Sequence, residues 1–67
     1  MSLEQAIHEI RKNINGFRKF TFNDGDELIG KYFEYYDKED NGHDAILIKK
    51  KDGAFVEVDL RDLVSIV

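Results

Sequence analysis

Asp24-Gly25 sits between two runs of alternating apolar and polar residues, Phe17 to Asn23 and Glu27 to about Tyr36, and constrains this chain more than any other feature. Tight hairpin turns need a residue at positive φ, which glycine reaches without steric cost, so the pair predicts a hairpin with its two strands fixed in register. Phe20 and Phe22 share one face of the first strand, with Lys19 and Thr21 on the other. The second strand has apolar or aromatic residues on both parities, Leu28, Tyr32 and Tyr36 against Ile29, Phe33 and Tyr35. This pattern suits a bent strand shared by two halves of a small barrel, with Gly30 as the place for a bend or bulge. The alternative is a straight strand covered by a helix on one side.

The segments around this hairpin read as what it needs to close a core. Leu3, Ile7, Ile10 and Ile14, with Ala6 beside them, recur at three- and four-residue steps and predict an amphipathic helix over about 2–15. Ser2 and Gln5 have the spacing of a capping box, and Asn15-Gly16 supplies a stop. A helix of under four turns is marginal alone and must dock on something apolar. Residues 37–44 form a polar turn segment, followed by a third strand at 45–49. Asp52-Gly53 gives a second tight turn, 54–60 a fourth strand, Arg61-Asp62 a corner and Leu63 to Val67 a last strand. The expected fold is mainly β with one α-helix: a single domain over 1–67, its helix at about 2–15 capping a closed or nearly closed five-stranded barrel at about 17–67.

Size and charge bound the function. A chain of 67 residues hides only about 60% of its unfolded surface, and its net stability is expected at roughly 3–10 kcal/mol. It has no cysteine, which removes disulfides and thiolate metal sites and favours a reducing, cytoplasmic setting. No signal-peptide core or run of ~20 apolar residues is present, so a soluble, unexported protein with no membrane partner is expected. The formal charge is −4, with both signs interspersed. Any nucleic-acid footprint would have to be local.

Nothing in the chain predicts catalysis. His8 lies on a helix face with Glu4 and Lys12, Ser65 falls in the last strand, and no nucleophile is paired with a base. Asp37, Glu39, Asn41 and Gly42 match the first positions of a calcium loop, but Ile48 replaces the terminal glutamate and Asp44 takes an apolar position. His43 with Asp37, Asp40 and Asp44 is a weak metal constellation. No enzyme activity, metal or cofactor is expected.

The N-terminal helix, the strand ending in Asn23-Asp24-Gly25, Ile29-Gly30 in the second strand, an acidic turn containing Asn41 and the closing stretch from Val58 to Ile66 together resemble the Sm-like small barrels. SH3-like barrels in general share much of this pattern. The resemblance covers nearly the whole chain and implies a strongly bent Sm-like or SH3-like barrel. It also implies rings built by pairing the fourth strand of one subunit with the fifth of the next. In that family, uridine-rich RNA is bound through an Asp-and-Asn loop after the second strand and an Arg/Lys-Gly segment before the last. The matching positions are Asp37 or Asp40 with Asn41, whereas Arg61 is followed by Asp62 and not glycine. The chain is also similar to the acidic Rof-type relatives, which inhibit the termination factor Rho by binding a protein.

Two readings follow. The first is a non-enzymatic protein-interaction module, an adaptor or inhibitor, in which Phe55 is an exposed anchor on the polar parity of the fourth strand and Glu57 and Asp59 give charge selectivity. The alternative is an Sm-like RNA- or DNA-binding oligomer using Asn41, Lys49, Lys50 and Lys51, with Arg18 and Lys19 as further phosphate contacts. The apolar last strand, Leu63 to Val67, is a candidate edge for pairing with another copy.

Overall fold

The structure, a computed structural model, describes residues 1–38 and 43–67, with the side chains of Asp37 and Lys38 left out of the description. One N-terminal helix, α1 (Leu3–Arg11), precedes five strands: β1 (Arg18–Phe22), β2 (Glu27–Lys38), β3 (His43–Lys50), β4 (Phe55–Asp59) and β5 (Leu63–Ile66). A short 3-10 helix, Leu60–Asp62, joins the last two. The strands form one antiparallel sheet in the order β4-β3-β2-β1-β5. β4 and β5 are its two edges, so the sheet is bent and not closed into a barrel.

Local chemistry sets the ends of the elements. Gln5 N donates to Ser2 Oγ at 3.1 Å and Ser2 N donates to Gln5 Oε1 at 3.0 Å, which completes the capping box and satisfies two helix-terminal donors. Both hairpins turn in the same way. In the first, Gly25 N donates to Phe22 O at 3.0 Å and Phe22 N to Asp26 O at 2.9 Å. In the second, Gly53 N donates to Lys50 O at 3.0 Å and Lys50 N to Ala54 O at 2.8 Å. Each is a three-residue loop ending in a glycine at φ 90°. The aspartate before each glycine accepts a backbone N–H two residues on, at 2.9 Å.

The helix ends at Arg11, four residues short of the expected boundary. Ile14, the last member of the apolar stripe, is exposed, whereas Ala6 and Ile10 are buried. Arg18 accounts for much of this stop. Its Nη1 donates to the carbonyls of Glu9 (2.8 Å) and Ile10 (3.3 Å), and its Nε donates to that of Val67 (3.3 Å). A cation in the last turn also complements the helix dipole. Arg18 is therefore a buried structural residue and is withdrawn from the phosphate-contact group.

Two bulges explain the mixed parity of the strands. In the β2–β3 ladder Tyr32 pairs with Ile48 and Glu34 with Leu47, which leaves Phe33 as the extra residue. Before it, Leu28, Gly30 and Tyr32 face the core; after it, Tyr35 does. Phe33 itself points outward. In the β1–β5 ladder Thr21 pairs with Ser65 and Phe22 with Leu63, so Val64 is extra, and Leu63 and Ile66 both reach the core at three-residue spacing. The bend thus lies at Phe33 and not at Gly30. Gly30 has a different role: a Cβ there would collide with Ile48 Cγ2 and lie 3.0 Å from the carbonyl oxygen of Lys49.

The core gathers Ala6 and Ile10 from the helix with Phe20, Ile46, Ile48, Val58, Leu60, Leu63 and Ile66. Met1, Leu3, Phe22, Leu28, Tyr32, Tyr35 and Val56 pack around it. Among the described residues no helix is long and apolar enough to cross a membrane.

Candidate functional site

β2, β3 and β4 carry the exposed chemistry on the face of the sheet turned away from the core. Strand register fixes its layout. Lys31, Lys49 and Phe55 form one cross-strand row, and Glu34, Leu47 and Glu57 form the next. The bulge delivers Phe33 between these rows, where its ring meets that of Phe55 edge to face, with centroids 4.8 Å apart and planes at 70°. This is the favoured geometry for an aromatic pair, yet Phe33 is 52% exposed and Phe55 48%. Two phenylalanines packed on each other and half open to water form an apolar surface that folding alone leaves unburied.

The charges are sorted around this pair. On one side, Lys31 and Lys51 hold their ammonium groups over the ring of Phe17 at 4.8 and 5.3 Å, and Lys49 lies 5.8 Å from the ring centroid of Phe55. Lys50 completes a shallow cleft of about 340 Å³ lined by Phe17, the four lysines and the Asp52-Gly53 turn. On the other side stand Glu34 and Glu57, both exposed. The aromatic pair lies on the boundary between a basic and an acidic half.

The residues expected from sequence separate accordingly. Phe55 is exposed, and the structure brings it together with Lys49 and with Phe33. Glu57 is two residues along on the same strand, opposite Leu47. Asp59 is committed within the fold. Its Oδ1 accepts from Arg61 N at 2.9 Å and caps the 3-10 helix, while Oδ2 accepts from Arg61 Nη2 at 2.8 Å and lies 3.2 Å from His43 Nε2. Of the two carboxylates expected to give charge selectivity, Glu57 is exposed and Asp59 is half-buried against Arg61 and His43. Asn41 lies outside the described residues, as do Glu39 and Gly42 of the candidate calcium loop and Asp40 of the candidate metal constellation. His43 pairs with Asp59, and Asp44 accepts from the Tyr35 hydroxyl at 2.6 Å. Among the described residues no three potential metal ligands converge.

The hydrogen bond from Arg61 holds the Asp59 carboxyl below its ordinary value of 3.8, helped by the backbone N–H of Arg61 and opposed by partial burial. A carboxyl whose folded pKa is depressed adds stability above its unfolded pKa and loses it as pH falls through the folded one. Because Arg61 is largely exposed, solvent screening limits the gain to at most about 1 kcal/mol. Asp59→Asn is expected to melt slightly below the parent at neutral pH, with the gap closing as pH falls below about 4. Thermal melts by circular dichroism across that range check this. An undiminished gap at acid pH would show that the charge is not what matters.

Phe33 is the member of the site that sequence reasoning placed no further than among the surplus aromatics. Its signal was the doubled parity of β2, but only the pairing with β3 fixes which residue is extra. Compared with protein-family models, curated proteins and solved structures, the chain has no significant match.

Proposed function

We propose that the domain is a non-enzymatic protein-interaction module, an adaptor or inhibitor, that docks a partner on the outer face of β2–β4 with Phe55 and Phe33 as anchor. The observation that carries this is the half-exposed edge-to-face pair flanked by sorted charge. Interface energy concentrates in a few aromatic anchors, and charged rims set partner choice and approach. The N-terminal helix, five strands and short helical turn before the last strand are consistent with an Sm-like kinship. The net charge of −4 repels a long polyanion such as nucleic acid and confines favourable contact with anions to the local lysine cluster, which supports a protein partner.

The test is capture of a partner by the tagged domain, with and without nuclease, followed by comparison of Phe55→Ala with the parent. A defined protein that survives nuclease and is lost with Phe55→Ala, while the variant's melting temperature stays within a few degrees of the parent's, is the expected outcome. Removing a residue at the centre of a small interface typically costs about 2 kcal/mol of binding, or roughly thirtyfold in affinity. A variant that unfolds would place Phe55 in the stabilising core and remove the anchor. Bound material that disappears with nuclease would replace this reading with an Sm-like nucleic-acid one using Lys49, Lys50 and Lys51.

A further inference from the structure

The lysine cleft beside the aromatic pair is costly for the fold. Lys31 and Lys49 stand directly opposite each other across β2 and β3, and like charges at directly paired positions destabilise a sheet. Lys50 and Lys51 follow at once, so four of the chain's ten basic residues converge on one cleft of an otherwise acidic chain. Lys19 and Lys12 have carboxylate partners in Glu27 and Glu9. Among the described residues, Lys31, Lys49, Lys50 and Lys51 have none. Lys31 and Lys51 are stabilised by the ring of Phe17 and Lys49 by that of Phe55, which offsets only part of the repulsion.

We infer that this cleft receives a carboxylate-rich segment of the partner protein, one whose neighbouring apolar side chain reaches the Phe33–Phe55 pair. The inference rests on the interaction-module reading and supplies the chemical class of what is bound. Charge complementarity selects an anionic occupant. Ammonium groups on flexible stems act as point charges and do not impose the planar, two-pronged geometry of guanidinium, which suits glutamate and aspartate side chains presented along an extended chain. Ring geometry selects peptide over single-stranded nucleic acid. Binding of bases without sequence preference uses open aromatic faces as stacking platforms. Here Lys31 and Lys51 lie over the Phe17 ring, and Phe33 and Phe55 are already packed against each other.

The experiment is a fluorescence-anisotropy titration of the whole domain with three labelled probes: a short peptide alternating glutamate with leucine, the same peptide with glutamine for glutamate, and an oligothymidylate of equal charge. The glutamate peptide is expected to bind most tightly, to weaken as salt rises, and to lose about tenfold or more in affinity with the exposed pair Lys49→Glu and Lys51→Glu, equivalent to about 1.4 kcal/mol. Glutamine-peptide binding as tight as glutamate-peptide binding, tighter binding of oligothymidylate, or no binding of the glutamate peptide would each overturn the inference. Protein capture that still depends on Phe55 in those cases would leave the interaction-module reading standing. Capture indifferent to Phe55→Ala would defeat that reading itself.

Discussion

Arg18→Met is expected to lower the melting temperature by at least roughly 10 °C, the equivalent of about 2–4 kcal/mol in a domain of this size. Methionine keeps much of the side chain's bulk but removes every donor. The Glu9 and Ile10 carbonyls at the end of α1 and the Val67 carbonyl beyond β5 then lose a charge-assisted partner inside the protein. One guanidinium therefore ties the helix to both β1 and the end of the chain. Arg18→Lys should recover only part of the loss, because a single ammonium lacks the fork that reaches three carbonyls. Chemical denaturation of the three proteins measures the effect. A Met variant as stable as the parent would mean that water replaces the guanidinium without cost and that the helix is held by apolar packing alone.

Gly30→Val should be comparably severe, at about 3 kcal/mol. Its first carbon would collide with Ile48 Cγ2 and approach the Lys49 carbonyl oxygen. Neither neighbour yields easily, since Ile48 is fully buried in the core and Lys49 O belongs to the backbone of the adjoining strand. The next residue gives the control. Ile29 is 44% exposed on the other face, so Ile29→Ala should change stability by well under 1 kcal/mol. Equal sensitivity at the two positions, read from urea midpoints, would contradict the close packing of β2 on β3.

Features written in short stretches of sequence were legible. The Ser2 and Gln5 cap, both Asp-Gly hairpins and the order of helix and five strands each depend on neighbours a few residues apart, and the structure contains them. What escaped depends on partners distant in the chain. β2 announced a bend through its apolar residues on both parities, but whether Gly30 or Phe33 supplied it was decided by which residue β3 left unpaired. Helix periodicity through Ile14 could not register that the Arg18 side chain would take the carbonyls of the preceding turn. Arg18 did carry a signal, since it shares the parity of Phe20 and Phe22 and strand alternation places it on their inward face.

The candidate site shows the same division. The alternation of β4 was enough to put Phe55 outside, where it is found. Asp59, on the same parity, pointed to a free charge, yet the 3-10 helix that follows turns Arg61 back onto it. The run Lys49 to Lys51 reads as a hairpin end in sequence. Only strand pairing brings Lys31 beside it, and only the approach to β1 lays Phe17 beneath two of the ammonium groups.

The most direct test of the interaction face is site-specific photocrosslinking with a benzophenone amino acid in place of Phe55, compared with the same group in place of Val64 on the β5 edge. Both positions are exposed, so each reports on what approaches its own surface. Transfer from position 55 to a defined protein, with little transfer from position 64, is the result predicted for docking on the outer face of β2–β4. Crosslinks confined to position 64, or position 55 labelling nucleic acid in place of protein, would contradict it.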